Sequence, residues 1–225
     1  MTSVGLRDVV MISTGMAAEV LAYYLDHMSD LNLVGFAIDK EYLTQDTFLD
    51  RPVVAWEDVT GQFPPDQVRL IGPPSFARLN AFRRDRYLAG KSIGYDFASY
   101  IHPHSVVMTN DIGEHCIILH GVTVEPATKV CENVVIWSDS HVSHHCSIGA
   151  HTFLSGLVGI AGSTTIGEEC YLAGKVGVAN KRRIGNRCAI LNAAWIKDDV
   201  PDDSVVVGPD AITKPYSSGK VKRLL

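Results

Sequence analysis

From Ile112 to Ile196 an aliphatic residue occupies every sixth position without a break, running through Ile118, Val124, Val130, Ile136, Val142 and Ile148. A helix repeats at about 3.6 residues and a strand at 2, so a register of six fits neither unless the chain turns a corner in every hexad. The residue four after each aliphatic forms a second column that is nearly always small: Cys116, Val122, Thr128, Val134, Ser140, Cys146 and onward to Val200, broken only by Arg182. Three short strands and three corners make an 18-residue triangular coil whose interior admits one aliphatic and one small side chain per side. Stacked coils then bury a continuous core through contacts between neighbours. The register gives five full coils, and residues 101–111 add part of another. A Val/Ile-rich sandwich would need alternation at two with turns every 8 to 12 positions, which this sequence does not have.

The repeat uses only the second half of the 225 residues, so two domains are expected, at 1–95 and 100–213, with a tail at 214–225. Net charge is -5 with Lys and Arg scattered, which argues against nucleic acid and against an anionic membrane as partners. Small molecules and copies of the chain are the expected partners. Asp8 and Glu19 interrupt the first apolar stretch, so neither signal peptide nor membrane span fits and a cytoplasmic address is expected. All five cysteines lie in the repeat, and Cys116, Cys146, Cys170 and Cys188 stand in the small inward column as compact hydrophobes. No CxxC pair occurs, so neither a zinc site nor disulfides are expected.

The first half alternates apolar runs at 9–12, 33–38 and 68–71 with helical patterns, one through Ala18, Leu21, Ala22 and Leu25 and another through Phe76, Leu79 and Phe82. Such alternation implies a small α/β domain with a parallel sheet and a ligand crevice at the strand C-termini. The loops expected there supply Ser13, Thr14, Gly15, Met16, Asp39 and Pro73 as candidate substrate-binding residues. Asp39 follows Gly15 at about the distance where an acidic residue accepts from a ribose hydroxyl, although the glycine fingerprint of dinucleotide sites is absent. Residues 90–100 are the expected junction between the domains.

His115, His120, His141, His144, His145 and His151 crowd the first coils. His144 and His145 stand two and three after Val142, where a side chain projects from the prism near a corner, free to act as a general base. One coil further on, His144 is overlain by Gly162, whose backbone N–H is open to a substrate oxygen. Base and donor would lie about 4.8 Å apart if coils stack at strand spacing.

With these residues in place, the chain resembles the left-handed β-helix acyltransferases, in particular the family of sialic-acid O-acetyltransferases and bacterial nucleotide-amino-sugar N-acetyltransferases. ISTGMAAEV stands where that family has its first glycine-rich loop, GFAID at its second strand, SHHCSIG at its histidine motif, GIAGSTTIG at its oxyanion segment and VPDDSVVVGPDA at its closing turn. The resemblance implies a Rossmann-like sugar-nucleotide domain, a left-handed β-helix, acetyl-CoA as donor, no metal, and a homotrimer. It implies His144 as base and Gly162 as oxyanion donor, with His145 where an acidic neighbour is usual and Phe153 where a second polar residue is usual. It places the donor's arm beside Gly162, Gly174, Lys175, Gly177 and Ala179. Lys181, Arg182 and Arg183 read as a bulged, cationic loop for the coenzyme's phosphates. N-acetylation of a nucleotide-linked amino sugar is the expected activity, with O-acetylation of a sialic or related sugar as the alternative. A metal enzyme using the His115/His120 H-x4-H pair is a further alternative, with His102 and His104 at the wrong distance for a third ligand. A non-catalytic trimer is the last.

Overall fold

The computed structural model describes residues 7–209, so the expected tail at 214–225 lies outside the described residues. β1 (Asp8–Met11), α1 (Met16–Met28), β2 (Asn32–Ile38), β3 (Thr47–Phe48), β4 (Arg51–Ala55), α2 (Val59–Gln62), β5 (Arg69–Ile71) and α3 (Ala81–Ser92) make up the first half. The sheet runs β3-β4-β2-β1-β5, parallel except for the β3–β4 pair. Its centre is apolar on both faces, as a covered parallel sheet requires. Val9 and Met11 face Ala18, Leu21, Ala22 and Leu25 of α1, while Val10 and Ile12 face Tyr87 of α3. The α1 residues recur at helical spacing and are all buried.

From Tyr100 onward the chain winds as the expected three-sided β-helix. Face I carries Tyr100–Ile101, Ile117–Ile118, Val135–Ile136, Phe153–Leu154, Tyr171–Leu172, Ala189–Ile190 and Val205–Val206. Face II runs from Val106–Val107 through His141–Val142, Gly159–Ile160 and Gly177–Val178 to Trp195–Ile196, and face III from Lys129–Val130 to Arg183–Ile184. Between Ile117 and Ile196 ladder partners are 18 residues apart, for example Val142 with Ile160, and the spacing shortens to 17 where the helix starts, at Tyr100 with Ile117, and to 16 where it ends, at Ala189 with Val205. Both expected columns point inward and form one buried cluster.

Every sixth residue from 115 to 193 has a positive φ, and only Gly121 among them is a glycine. This left-handed residue turns each corner, and an N–H bond to the carbonyl 19 residues back offsets its conformational cost, as for Ser163 to His144 at 2.9 Å. Polar members of the small column are satisfied internally, since Thr128 Oγ1 donates to Ser143 O at 2.7 Å and Thr164 Oγ1 to Ala179 O at 3.1 Å.

The first half sits on face I. Tyr100, Ile117, Leu119, Val135 and Phe153 share one apolar cluster with β1 and α1. One expectation needs correction. The helix read through Phe76 and Leu79 begins only at Ala81, because Phe76 is drawn out to stack on Tyr171 at 4.6 Å and Arg78, Leu79 and Asn80 all adopt positive φ. The 90–100 stretch runs from the end of α3 to the first strand of face I at Tyr100, and is packed on the way: a Cβ on Gly90 would meet Phe97 Cζ at 2.6 Å, and Phe97 bridges to Leu70.

Candidate active site

Corner II/III, between faces II and III, brings Glu125, His144, Gly162 and Lys181 together from successive coils, with Gly162 directly over His144. His144 is exposed, and its ring lies against Gly162: a Cβ there would sit 2.6 Å from His144 Cε1 and 2.8 Å from Nε2. Only glycine leaves the imidazole this position. Among the described residues the Gly162 N–H takes no partner, while its carbonyl accepts from Lys181 N at 2.9 Å. His144 Nδ1 lies 3.1 Å from His145 Nδ1, so one of the two rings donates to the other. Glu125 accepts the His144 backbone N–H at 2.8 Å and approaches His141 Nε2 at 3.3 Å. His141 is one of the histidines that crowd the first coils, while Glu125 was not among the candidate residues, although the 18-residue rule places it directly beneath Ser143.

Beside this corner, face II carries a shallow trough of about 300 Å³ floored by Gly159 and Gly177 and ended by His141 and Trp195. The Trp195 indole lies where a Cβ on Gly177 would stand, at 2.6 Å from its Cε3, and is 66% exposed. Ala179 borders the trough on the His144 side. Gly174 and Lys175 belong to corner I/II, at the other edge of face II. The expected cationic bulge is absent: Arg183 and Ile184 pair in regular register with Thr165 and Ile166. Arg182 is tied to Asp199 at 3.8 Å and donates to Asn180 O at 3.2 Å, and the exposed Arg183 lies on face III. Of the three, Lys181 alone remains exposed on the corner beside Gly162 without an ion pair among the described residues.

The first half brings Ser13, Thr14, Gly15 and Asp39 together at the strand C-termini in a crevice of about 170 Å³, closed by Tyr42 and Phe82. Met16 stands on the open side, 84% exposed, and Pro73 is buried away from the lining. α1 begins at Met16, one residue after Gly15 of the lining, so a helix N-terminus borders the crevice, an arrangement suited to phosphate. Asp39 is not the free acceptor expected from sequence, because it pairs with Arg86, whose guanidinium lies 4.8 Å from the Trp56 ring. Arg86 was invisible from sequence, 47 positions away on a helix whose start was misplaced.

The remaining histidines are dispersed. His115 and His151 are buried on corner III/I, and His120 Nδ1 on corner I/II meets Tyr24 OH at 2.7 Å and Ser138 Oγ at 3.0 Å. The H-x4-H pair therefore sits on two different corners and does not converge.

No protein-family model matches the chain. Among solved structures, the acetyltransferase domain of PglB from Neisseria gonorrhoeae in complex with acetyl coenzyme A superposes with a TM-score of 0.80, at 21% identity, over 93% of this chain and 100% of that one. PerB from Caulobacter crescentus, in complex with CoA and GDP-perosamine, gives 0.76 at 22% identity, over 94% and 99%. The chain has the fold of the left-handed β-helix sugar acyltransferases. An acyl-[acyl-carrier-protein]–UDP-N-acetylglucosamine O-acyltransferase of Agrobacterium fabrum is 32% identical over 30% of this chain and 32% of that protein. The chain thus spans about a third of the length of the curated relative it matches. None of the described helices is long and apolar enough to cross a membrane.

Proposed function

We propose that the chain transfers an acetyl group from acetyl-CoA to the amino group of a nucleotide-linked sugar. The observation that carries this reading is the His144 imidazole laid over Gly162 beside the face II trough, in a chain that also holds a phosphate-suited crevice. The trough accommodates a flexible thioester arm against the backbone of Gly159 and Gly177, with His141 and Trp195 at its ends and Ala179 just beyond its edge. The amine attacks the thioester carbonyl carbon while His144 takes its proton. The Gly162 N–H then stabilises the oxyanion. Collapse of the adduct breaks the C–S bond, and the imidazolium returns the proton to the departing thiolate. His145 and Glu125 hold the His144 ring and backbone, the task an acidic neighbour performs elsewhere.

The crevice belongs to the half that covers face I, whereas His144 stands on the vertex opposite that face. One copy therefore keeps its nucleotide crevice and its base apart, and a second copy must bring its own corner II/III to the crevice. This favours a closed ring of identical chains, a homotrimer.

The test is to mix the chain with acetyl-CoA and a panel of nucleotide-linked sugars, amino and non-amino, following thiol release and product mass. Acetylation of an amino sugar is expected, with His144→Ala lowering kcat by about 10²- to 10⁴-fold while acetyl-CoA affinity stays nearly unchanged. Thiol release only with hydroxyl acceptors would replace the reading with O-acetylation. Silence across the panel would sink sugar acylation.

A further inference from the structure

The contact between the two halves contains a cation with no anion. Arg83 is fully buried, and among the described residues no carboxylate pairs with it. A buried charge ordinarily demands a counter-charge or complete hydrogen bonding. Here neutral oxygens satisfy it completely. Nε donates to Ser75 O at 3.1 Å, and Nη1 to Asn133 Oδ1 at 2.8 Å and to the Asn133 carbonyl. Nη2 donates to His151 O at 2.7 Å, Asn80 Oδ1 at 3.1 Å and Thr152 O at 3.4 Å. Burial holds the guanidinium below its ordinary range, at about 9.

These bonds join three things: the 72–80 segment, the first turn of α3, and two stacked corners of the β-helix. Asn80 adds a third coil by donating to Cys170 O at 2.9 Å, and Phe76 adds its stack on Tyr171. The segment leaves the C-terminal end of β5, the side on which the crevice opens, and Phe82, next to Arg83, lines that crevice. Three successive non-glycine residues at positive φ, Arg78, Leu79 and Asn80, persist only where the surroundings over-determine the backbone. Apolar burial on face I is non-directional and tolerates sliding, whereas a planar fork of five donors does not.

We propose that Arg83 is a positioning residue for the acceptor: by fixing the 72–80 segment and Phe82 against the β-helix, it sets where a nucleotide sugar projects from the crevice. Arg83 itself touches no reactant. The inference rests on the acceptor reading of the crevice given above.

The experiment uses the full chain and two variants. Arg83→Lys keeps the cation and its stem but reduces the fork to one point, and Phe76→Ala removes a half-exposed ring whose loss the fold survives. Both are expected to raise KM for the nucleotide sugar about tenfold, equivalent to roughly 1.4 kcal/mol, while KM for acetyl-CoA stays within about twofold. Amide hydrogen exchange should quicken across 72–80 and stay unchanged in β1 and β2. An unchanged acceptor KM in either folded variant overturns the proposal. Equal rises in both KM values with faster exchange throughout overturn it as well, because they mark mere scaffolding. If the wild type acetylates no nucleotide sugar, the functional reading fails separately. Exchange alone then decides the role of Arg83, and unchanged rates across 72–80 in Arg83→Lys reject it.

Discussion

His145 and His151 occupy the same place on successive corners of one coil. Each is the left-handed residue, at φ 57 and 61, and each donates its N–H to the carbonyl 19 residues back, Pro126 at 3.2 Å and Glu132 at 3.1 Å. Their side chains nevertheless meet opposite fates. His145 is exposed and touches the candidate base, while the His151 ring is buried and bonded to Asn133 Nδ2 at 2.8 Å within the Arg83 network. Burial, and then the nearby Arg83 charge, lower the pKa of His151. The repeat therefore sets only the backbone. Which corner the first half covers decides whether an imidazole there can exchange protons with a ligand.

Glycine substitution breaks this comparison most sharply. Gly162→Ala on the open corner would push its Cβ into the His144 ring, a side chain free to swing aside, so the fold should hold. Displacing the base by about 1 Å should lower kcat about 10²-fold. On corner III/I, Gly149→Ala meets backbone instead, the Gly167 carbonyl carbon at 2.4 Å, and should cost about 1–3 kcal/mol of stability. Thermal melts and steady-state rates on both variants separate the two cases. A Gly162→Ala enzyme of wild-type rate would remove the His144–Gly162 pair from the mechanism.

The same contrast explains what the sequence could reveal. A register repeated through every coil gives each hexad the same environment, so the faces, inward columns and stacking of His144 on Gly162 follow from local spacing. The sequence carries one further signal: the corner residue is never Val, Ile or Thr from 115 to 193, because β-branched side chains tolerate positive φ worst. The start of α3 was not legible. It depends on Phe76 meeting Tyr171 and on Arg83 meeting Asn133, contacts between residues 95 and 50 positions apart that no periodicity encodes. The pairing of Asp39 with Arg86 was hidden for the same reason. The cationic bulge was misjudged because a charge run says nothing of the aspartate, Asp199, that returns one turn later.

Acid should expose the buried corner more gently than mutation does. Burial, then Arg83, hold the His115 imidazole down to about 3, below its unfolded value near 6.5. Such a group contributes stability above the unfolded pKa and loses it as pH falls, since only the unfolded chain takes up the proton. At pH 5 the loss from His115 should be about 2 kcal/mol relative to neutral pH. His102 and His151, also lowered by burial, steepen the same limb. Urea midpoints between pH 7 and 5 measure it, and His115→Phe should flatten the slope by one proton. A variant as acid-sensitive as the parent would show that His115 is already protonated when folded.

The smallest effect concerns the cations of corner II/III and asks which of three neighbours meets a phosphate. Arg182 is engaged by Asp199, and Arg183, whose N–H donates to Asp199 Oδ1 at 2.9 Å, faces away on face III. Lys181 is a left-handed corner residue whose N–H donates to the Gly162 carbonyl at 2.9 Å, so a coenzyme phosphate near the trough would find its ammonium first. An exposed ion pair of this kind contributes about 0.5–1 kcal/mol. Lys181→Ala should then raise the acetyl-CoA KM only about threefold, and less at high salt, where such pairs are screened. Arg182→Ala and Arg183→Ala should leave it unchanged. If instead Arg183→Ala gave the larger, salt-sensitive rise, the phosphates would lie over face III, and the donor would have to cross the corner from outside rather than run along the trough.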